Sequence, residues 1–306
     1  MRYVTFSSLA QPDGPRLGVL AGDEVIELSG TPGLPRTMLA MLEAGEPAWS
    51  AARQATLHGQ GRRWQQGTVR LRTPLPRPPS LRDFYAFERH VAAAFAVRGR
   101  TIPEEWHAFP VFYFSNPGSI CGPEEAVAPP AGCRELDYEL EVACVIGRGG
   151  RDIPATEAER HIFGFTILND WSARDLQRAE MRVGLGPAKG KDFASSLGPW
   201  LVTLDELADR AEGRPGVYHL AMTARHNGFE RSHGNLDEIR FSFGEMIARA
   251  SSGVDLFPGD VIGSGTVGSG SLLELTAGQG PWLQPGDVVE LEVERLGILR
   301  NTVVGG

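Results

Sequence analysis

Leu136-Asp137-Tyr138-Glu139-Leu140-Glu141-Val142-Ala143-Cys144-Val145-Ile146-Gly147 alternates with a period of two. Leu136, Tyr138, Leu140, Val142, Cys144 and Ile146 fall on one face of a strand, and Asp137, Glu139 and Glu141 on the other. The carboxylate face then turns apolar at Ala143 and Val145. The strand is therefore expected to enter a core, and its acidic end departs from an ordinary solvated face. Same-face neighbours stand about 7 Å apart along a strand. Carboxylates that lean together in a partly dry site repel, so either one takes a proton or a cation sits between them. On this stretch alone, a solvated antiparallel strand with an acidic outer face is the simpler reading. The remainder of the chain reverses that preference.

The 306 residues suit one sizeable domain, or a larger domain with a small appendage. Hydrophobic residues at 42% and charged residues at 22% are ordinary for a soluble globular protein. The 38 glycines and 22 prolines favour many turns and short strands over long helices. Net charge is −8 with no basic cluster, which argues against a nucleic-acid partner. Cys121, Cys133 and Cys144 are odd in number and lack zinc-like spacing, so they read as reduced thiols. No apolar run approaches a membrane span, and the N-terminus lacks a signal-peptide pattern, so a cytoplasmic location without membrane contact is expected.

Residues 1–75 read as a small N-terminal β-rich domain. Val4–Phe6, Arg16–Leu20 and Glu24–Leu28 are short strands, with Gly22-Asp23 as a hairpin turn. Thr37–Leu42 and Ala48–Leu57 are short helices, and Thr68–Leu71 is another strand. Pro74–Ser80 is an extended linker, because clustered prolines disfavour helix and cannot donate ladder bonds. Arg82–Phe95 is helix-prone throughout, which would set Asp83 and His90 on one side two turns apart. His90 taken alone reads as a surface or satisfied core residue. Phe109–Phe114 is an aromatic strand.

Phe163–Leu168 is an apolar strand that delivers Asp170 at its end. Asp170 or Ser172 could instead cap a helix on which Arg174 and Gln177 share a face. The loop Gly184–Phe193 is not a phosphate loop: Asp192 stands after Lys191 where Ser or Thr is needed, and the glycine spacing is wrong. Asn227-Gly228 marks a hairpin. The glycines of Pro258–Gly270 allow close backbone approach to a ligand or another strand, or a bulged barrel corner. Glu274 lies inside an apolar run and needs a partner.

Together these segments resemble the fumarylacetoacetate hydrolase family over about residues 80–304. Leu136–Glu141 looks like its paired-glutamate metal strand. His161–Phe165 with Asn169–Asp175 is similar to its most recognisable segment. Gly186-Pro187 to Phe193, with Gly198–Trp200, is similar to its lysine loop, and Gly263–Thr266 with Gly286-Asp287 to its C-terminal pattern. The resemblance implies a mixed, mainly β (α+β) fold: a β-roll catalytic domain at 76–306, usually homodimeric. It implies Asp83, Glu139, Glu141 and Asp170 as metal ligands. Oxygen-only ligands select a hard cation, Mg2+ first, with Ca2+ or Mn2+ as options.

The implied activity is hydrolysis of a C–C bond in a β-diketo acid such as fumarylacetoacetate, giving fumarate and acetoacetate, as in aromatic catabolism. His90, oriented by Glu274, would take a proton from water, while Lys191, Arg174 and Gln177 stabilise the oxyanion. Tyr85, Tyr113 and Thr266 would position this small oxo acid. The family's carboxylate-binding arginine falls at Gly99, flanked by Arg98 and Arg100. Decarboxylation or isomerisation of a 2-oxo diacid on the same metal site is the alternative, and a non-catalytic metal-binding protein the third.

Overall fold

Short strands assemble into two principal sheets, as the glycine and proline content foreshadows, with central strands of the larger one buried along their length and alternating burial in strands of the second. The computed structural model describes residues 1–10 and 14–306. Its larger sheet has 12 strands. Along its main path run Arg63–Gln65, Glu24–Glu27, Arg16–Ala21, Arg2–Ser8, Ser195–Thr203, Ile162–Asp170, Leu140–Ile146, Val261–Gly263, Leu81–Phe84 and Phe112–Ser115. A second sheet of five strands contains the hairpin Ala221–His226 and Phe229–Asn235, followed by Val288–Val293, Gly297–Val303 and Ala126–Val127. The fold is the expected mainly β, α+β architecture. Among the described residues no helix is long and apolar enough to cross a membrane.

Leu140–Ile146 is central because both of its faces are dry. Leu140, Val142, Cys144 and Ile146 join a large core with Met222, Leu291 and Val293 of the second sheet. Ala143 and Val145 join another core with Leu17, Met41 and Leu42. The sheet runs without a break into the N-terminal strands, since Arg2 and Tyr3 pair with Val202 and Leu201. Residues 38–57 form two helical pieces broken at Gly45, whose φ of +67° an L side chain resists.

Three expectations are corrected. The stretch 136–147 is not one strand. Leu136–Asp137 pairs with Ser172–Ala173, and the ladder resumes at Leu140. Between them Asn169 Oδ1 accepts from the Glu139 N–H, so a side chain replaces the ladder. The helix expected over 82–95 starts only at Glu88. Leu81–Phe84 is a strand, paired parallel with Val261–Gly263 and antiparallel with Phe112–Ser115. Tertiary pairing thus overrides local helix propensity. Asp170 caps no helix: Arg174–Val183 begins after Ala173 without a side-chain cap.

The glycine-rich stretch allows close strand approach. Gly263 pairs with Asp83, and a Cβ on Gly263 would stand 2.4 Å from Asp83 Oδ1 and 2.7 Å from Leu168 Cδ2. Gly263→Ala is therefore expected to destabilise by about 1–3 kcal/mol, read as a lower melting temperature. An unchanged melting temperature would contradict this contact.

Candidate metal centre and active site

Three strands of the larger sheet, two of them adjacent and the third one strand further on, each deliver one carboxylate to the same point. Asp83 comes from Leu81–Phe84, Glu141 from Leu140–Ile146 and Asp170 from the end of Ile162–Asp170. All three are buried. Each offers an oxygen, and these oxygens lie within 4.8 Å of one another. Asp83 Oδ1, Glu141 Oε2 and Asp170 Oδ1 have no hydrogen-bond partner. Burial, and then the charge of Asp170, pushes Asp83 well above the usual carboxylate range. Burial, and then Asp83 and Asp170, does the same to Glu141. Burial also raises Asp170, although Lys191 opposes it. Orphaned, mutually repelling oxygens in a dry site fit an oxygen-preferring divalent cation.

Glu139 stands apart from this trio. Lys191 Nζ bridges Glu139 Oε2 and Asp170 Oδ2, and Arg174 Nη2 lies 2.7 Å from Glu139 Oε1. Burial alone would raise Glu139, but Lys191, Arg174 and His90 together hold it well below the ordinary range. Lys191 is buried too; Asp170 and Glu139 keep it protonated against that burial. Arg174 Nη1 also donates to Gln177 Oε1 at 3.1 Å, so the shared helical face reaches the site. Tyr113 donates its hydroxyl to Asp170 Oδ2, and Thr266 Oγ1 donates to Glu141 Oε1 at 3.2 Å.

His90 and Glu274, far apart in sequence, meet at 2.8 Å between Nδ1 and Oε2. Glu274 sits in the one-turn helix Leu272–Leu275 and also accepts from Ser269 N and Ser271 Oγ. With Glu274 ionised, Nδ1 carries the proton. Nε2 then faces the carboxylates, 3.7 Å from Glu139 Oε1. The edge of Tyr85 packs against the imidazole, centroids 5.4 Å apart.

A cavity of about 190 Å³ opens over this group. Arg98 lines it; Arg100 instead stacks on Phe95, 5.6 Å from its ring. Phe84, Val111, Phe112 and Leu273 form an apolar wall that the motif reading missed. Their only signal was hydrophobicity, which core residues share. Asp137, although part of the quoted alternation, turns away toward Arg174 and does not line the cavity.

Three carboxylates on β-strands, a fourth at Glu139 in the break between strands, a buried lysine and a histidine–glutamate pair form a site that could hold a divalent metal. Residues 80–304 match the family described as fumarylacetoacetate (FAA) hydrolase, C-terminal, and the chain belongs to that family, whose members are enzymes acting on oxo acids. The human protein named oxaloacetate tautomerase FAHD2A, mitochondrial, is 35% identical over 297 residues, covering 95% of this chain and 88% of that one. The crystal structure of 5-carboxymethyl-2-hydroxymuconate delta-isomerase from Mycobacterium smegmatis has 29% identity and a TM-score of 0.71, covering all of both chains. That of maleylpyruvate hydrolase from Sphingobium sp. SYK-6, in complex with manganese (II) ion and pyruvate, has 26% identity, a TM-score of 0.75 and the same coverage.

The raised carboxylates set a pH signature. Asp83 and Glu141 keep protons in the folded chain that the unfolded chain has already released. Their contribution to stability is complete at low pH and lost as pH rises through the raised values. Glu139, held low, loses its contribution only on acidification. A divalent cation held by the trio would replace the missing protons. The melting-temperature gap between magnesium-loaded and metal-stripped protein is therefore expected to widen from the ordinary carboxylate range toward neutrality. A gap absent at neutral pH would contradict the carboxylate trio as a cation site.

Proposed function

We propose that this protein is a magnesium-dependent tautomerase of a small 2-oxo dicarboxylate of the oxaloacetate class, interconverting its enol and keto forms. The observation that carries this reading is that His90, held by Glu274, lines one small cavity together with Asp83 and Glu141, which each keep a buried oxygen without a partner. The 35% identity to a protein named oxaloacetate tautomerase supports the choice of reaction.

Asp83, Glu141 and Asp170 would hold the cation, with Glu139 completing the acidic set through Lys191. Bound there, a divalent ion supplies Lewis-acid polarisation of the 2-oxo oxygen. His90 Nε2 takes the proton from the enol hydroxyl and returns it to the adjacent carbon, the electron pair moving from oxygen through the double bond to that carbon. Glu274 holds the ring with Nδ1 protonated and stabilises the imidazolium. Lys191 and Arg174 place fixed positive charge near the oxygen on which negative charge develops, and Gln177 orients Arg174. Tyr113 and Thr266 fix the Asp170 and Glu141 carboxylates, and Tyr85 walls the cavity beside His90.

Lys191 and Arg174 are both engaged by carboxylates, whereas Arg98 lines the cavity from an exposed position. We assign Arg98, in place of Arg100, to the substrate's distal carboxylate. Arg98→Ala is expected to raise KM about tenfold or more, in line with a charge-assisted hydrogen bond of about 1.5–3 kcal/mol, while Arg100→Ala leaves it unchanged. Equal effects of the two substitutions would overturn this assignment.

The same histidine–glutamate pair favours one second reading, activation of water to cleave a C–C bond in fumarylacetoacetate or a similar β-diketo acid. One assay separates the two. Loss of enol-oxaloacetate absorbance is followed with metal-stripped and magnesium-loaded protein, alongside release of pyruvate and cleavage of fumarylacetoacetate. Magnesium-dependent enol loss without pyruvate is expected, and His90→Ala should lower it about 10²–10⁴-fold with magnesium still bound. Release of fumarate and acetoacetate in place of enol loss would transfer the assignment to the hydrolase.

A further inference from the structure

Asp137 is completely buried, carries a carboxylate and lies outside the cavity. Its two oxygens accept from three groups beyond its own neighbour's amide. Oδ1 accepts from Leu272 N at 2.8 Å. Oδ2 accepts from Leu273 N at 3.1 Å and from Arg174 Nε at 2.8 Å, and Arg174 Nη2 also lies 2.8 Å away. Leu272 and Leu273 open the one-turn helix that holds Glu274. Arg174 in turn holds Glu139.

These contacts close a ring around the catalytic groups. His90 Nδ1 meets Glu274, whose helix is tied to Asp137. Asp137 is tied to Arg174, Arg174 to Glu139, and Glu139 faces His90 Nε2. A helix of only four residues has little stiffness of its own. Ser271 Oγ caps it weakly, at 3.4 Å from Glu274 N. Its position relative to Arg174 depends on a shared acceptor between them.

We propose that Asp137 is a positioning residue that fixes Glu274 and Arg174 relative to each other and thereby sets the orientation of His90. This rests on His90 and Glu274 being the base pair argued above, but not on the identity of the substrate. Asn in place of Asp137 keeps the shape and one carbonyl acceptor. Its amide then stands either where Oδ2 accepts from Leu273 N and Arg174 Nε or where Oδ1 accepts from Leu272 N, donor against donor, so the helix loses one of its two contacts in either orientation.

The test has two readouts. The first needs no substrate: the downfield Nδ1 proton resonance of His90 in the magnesium-loaded protein, assigned by its disappearance in Glu274→Gln. In Asp137→Asn this resonance is expected to shift or broaden while the remaining methyl spectrum and the magnesium affinity stay as in the parent. The second is a double-mutant cycle on whichever reaction the protein turns over. Asp137→Asn is expected to lower kcat about 10- to 100-fold with KM little changed, and to cost little more in a Glu274→Gln background. A parental His90 resonance, or losses that multiply independently in the double variant, would overturn the proposal even where turnover falls. Absence of turnover on oxaloacetate bears on the substrate alone, because the resonance is read without it. Should Asp137→Asn not fold, Leu272→Pro removes one donor at the first helical position, where proline is tolerated. It is expected to disturb the same resonance, and an undisturbed one would count against the proposal.

Discussion

Mutual repulsion among buried carboxylates is the constraint on which this structure depends. Asp83, Glu141 and Asp170 bring their oxygens within 4.8 Å of one another with no water-facing surface to relieve them. Glu139 adds a fourth acid, and Lys191 and Arg174 are the buried cations set among them. With Asp137 also on Arg174, five buried acids stand against two buried cations, an excess of negative charge that a divalent ion would offset. A protonated trio could exist only by losing its donors' charge, which is what the raised carboxylates express.

Such convergence needs rigid support, and the sheet provides it. Leu140–Ile146 is clamped between two strands and two cores, so the direction of Glu141 is set by packing on both faces. Gly263 lets the strand with Asp83 approach closely enough to complete the trio. The His90–Glu274 pair is supported differently. His90 lies on a helix at the cavity edge and Glu274 on a single helical turn, joined through side chains and not through the ladder. The acidic centre is thus built on the stiffest part of the molecule and the base on shorter elements tied to it by hydrogen bonds.

Much of the site could be read from residue order. Glu274 stands out as an acid inside an apolar run, where burial demands a partner, and the motif resemblance singles out Glu139, Glu141, Asp170, Arg174 and Lys191. Local pattern misled where tertiary contact decided. Asp83 lies in a segment with helix propensity that becomes a strand because two neighbours pair with it. Asp137 shares the alternation of Glu139 and Glu141 yet faces away, because the ladder breaks between residues 137 and 140. Arg98 and Arg100 are equivalent in sequence, and only the fold sends one to the cavity and the other onto Phe95.

The resemblance of the motifs to a family implied the mainly β class and the acidic centre, and periodicity and turn residues determined the strand that enters the core and the turns at Gly22-Asp23 and Asn227-Gly228. These depend on neighbours close along the chain, where pleat and turn geometry act directly. The partnership of His90 with Glu274, the division of the carboxylates into an orphaned trio and an ion-paired Glu139, and the placement of Asp137 behind them were decided by the tertiary structure. Each joins groups from distant segments, so distance and burial, which sequence does not encode locally, set which charges meet and which remain open to a cation.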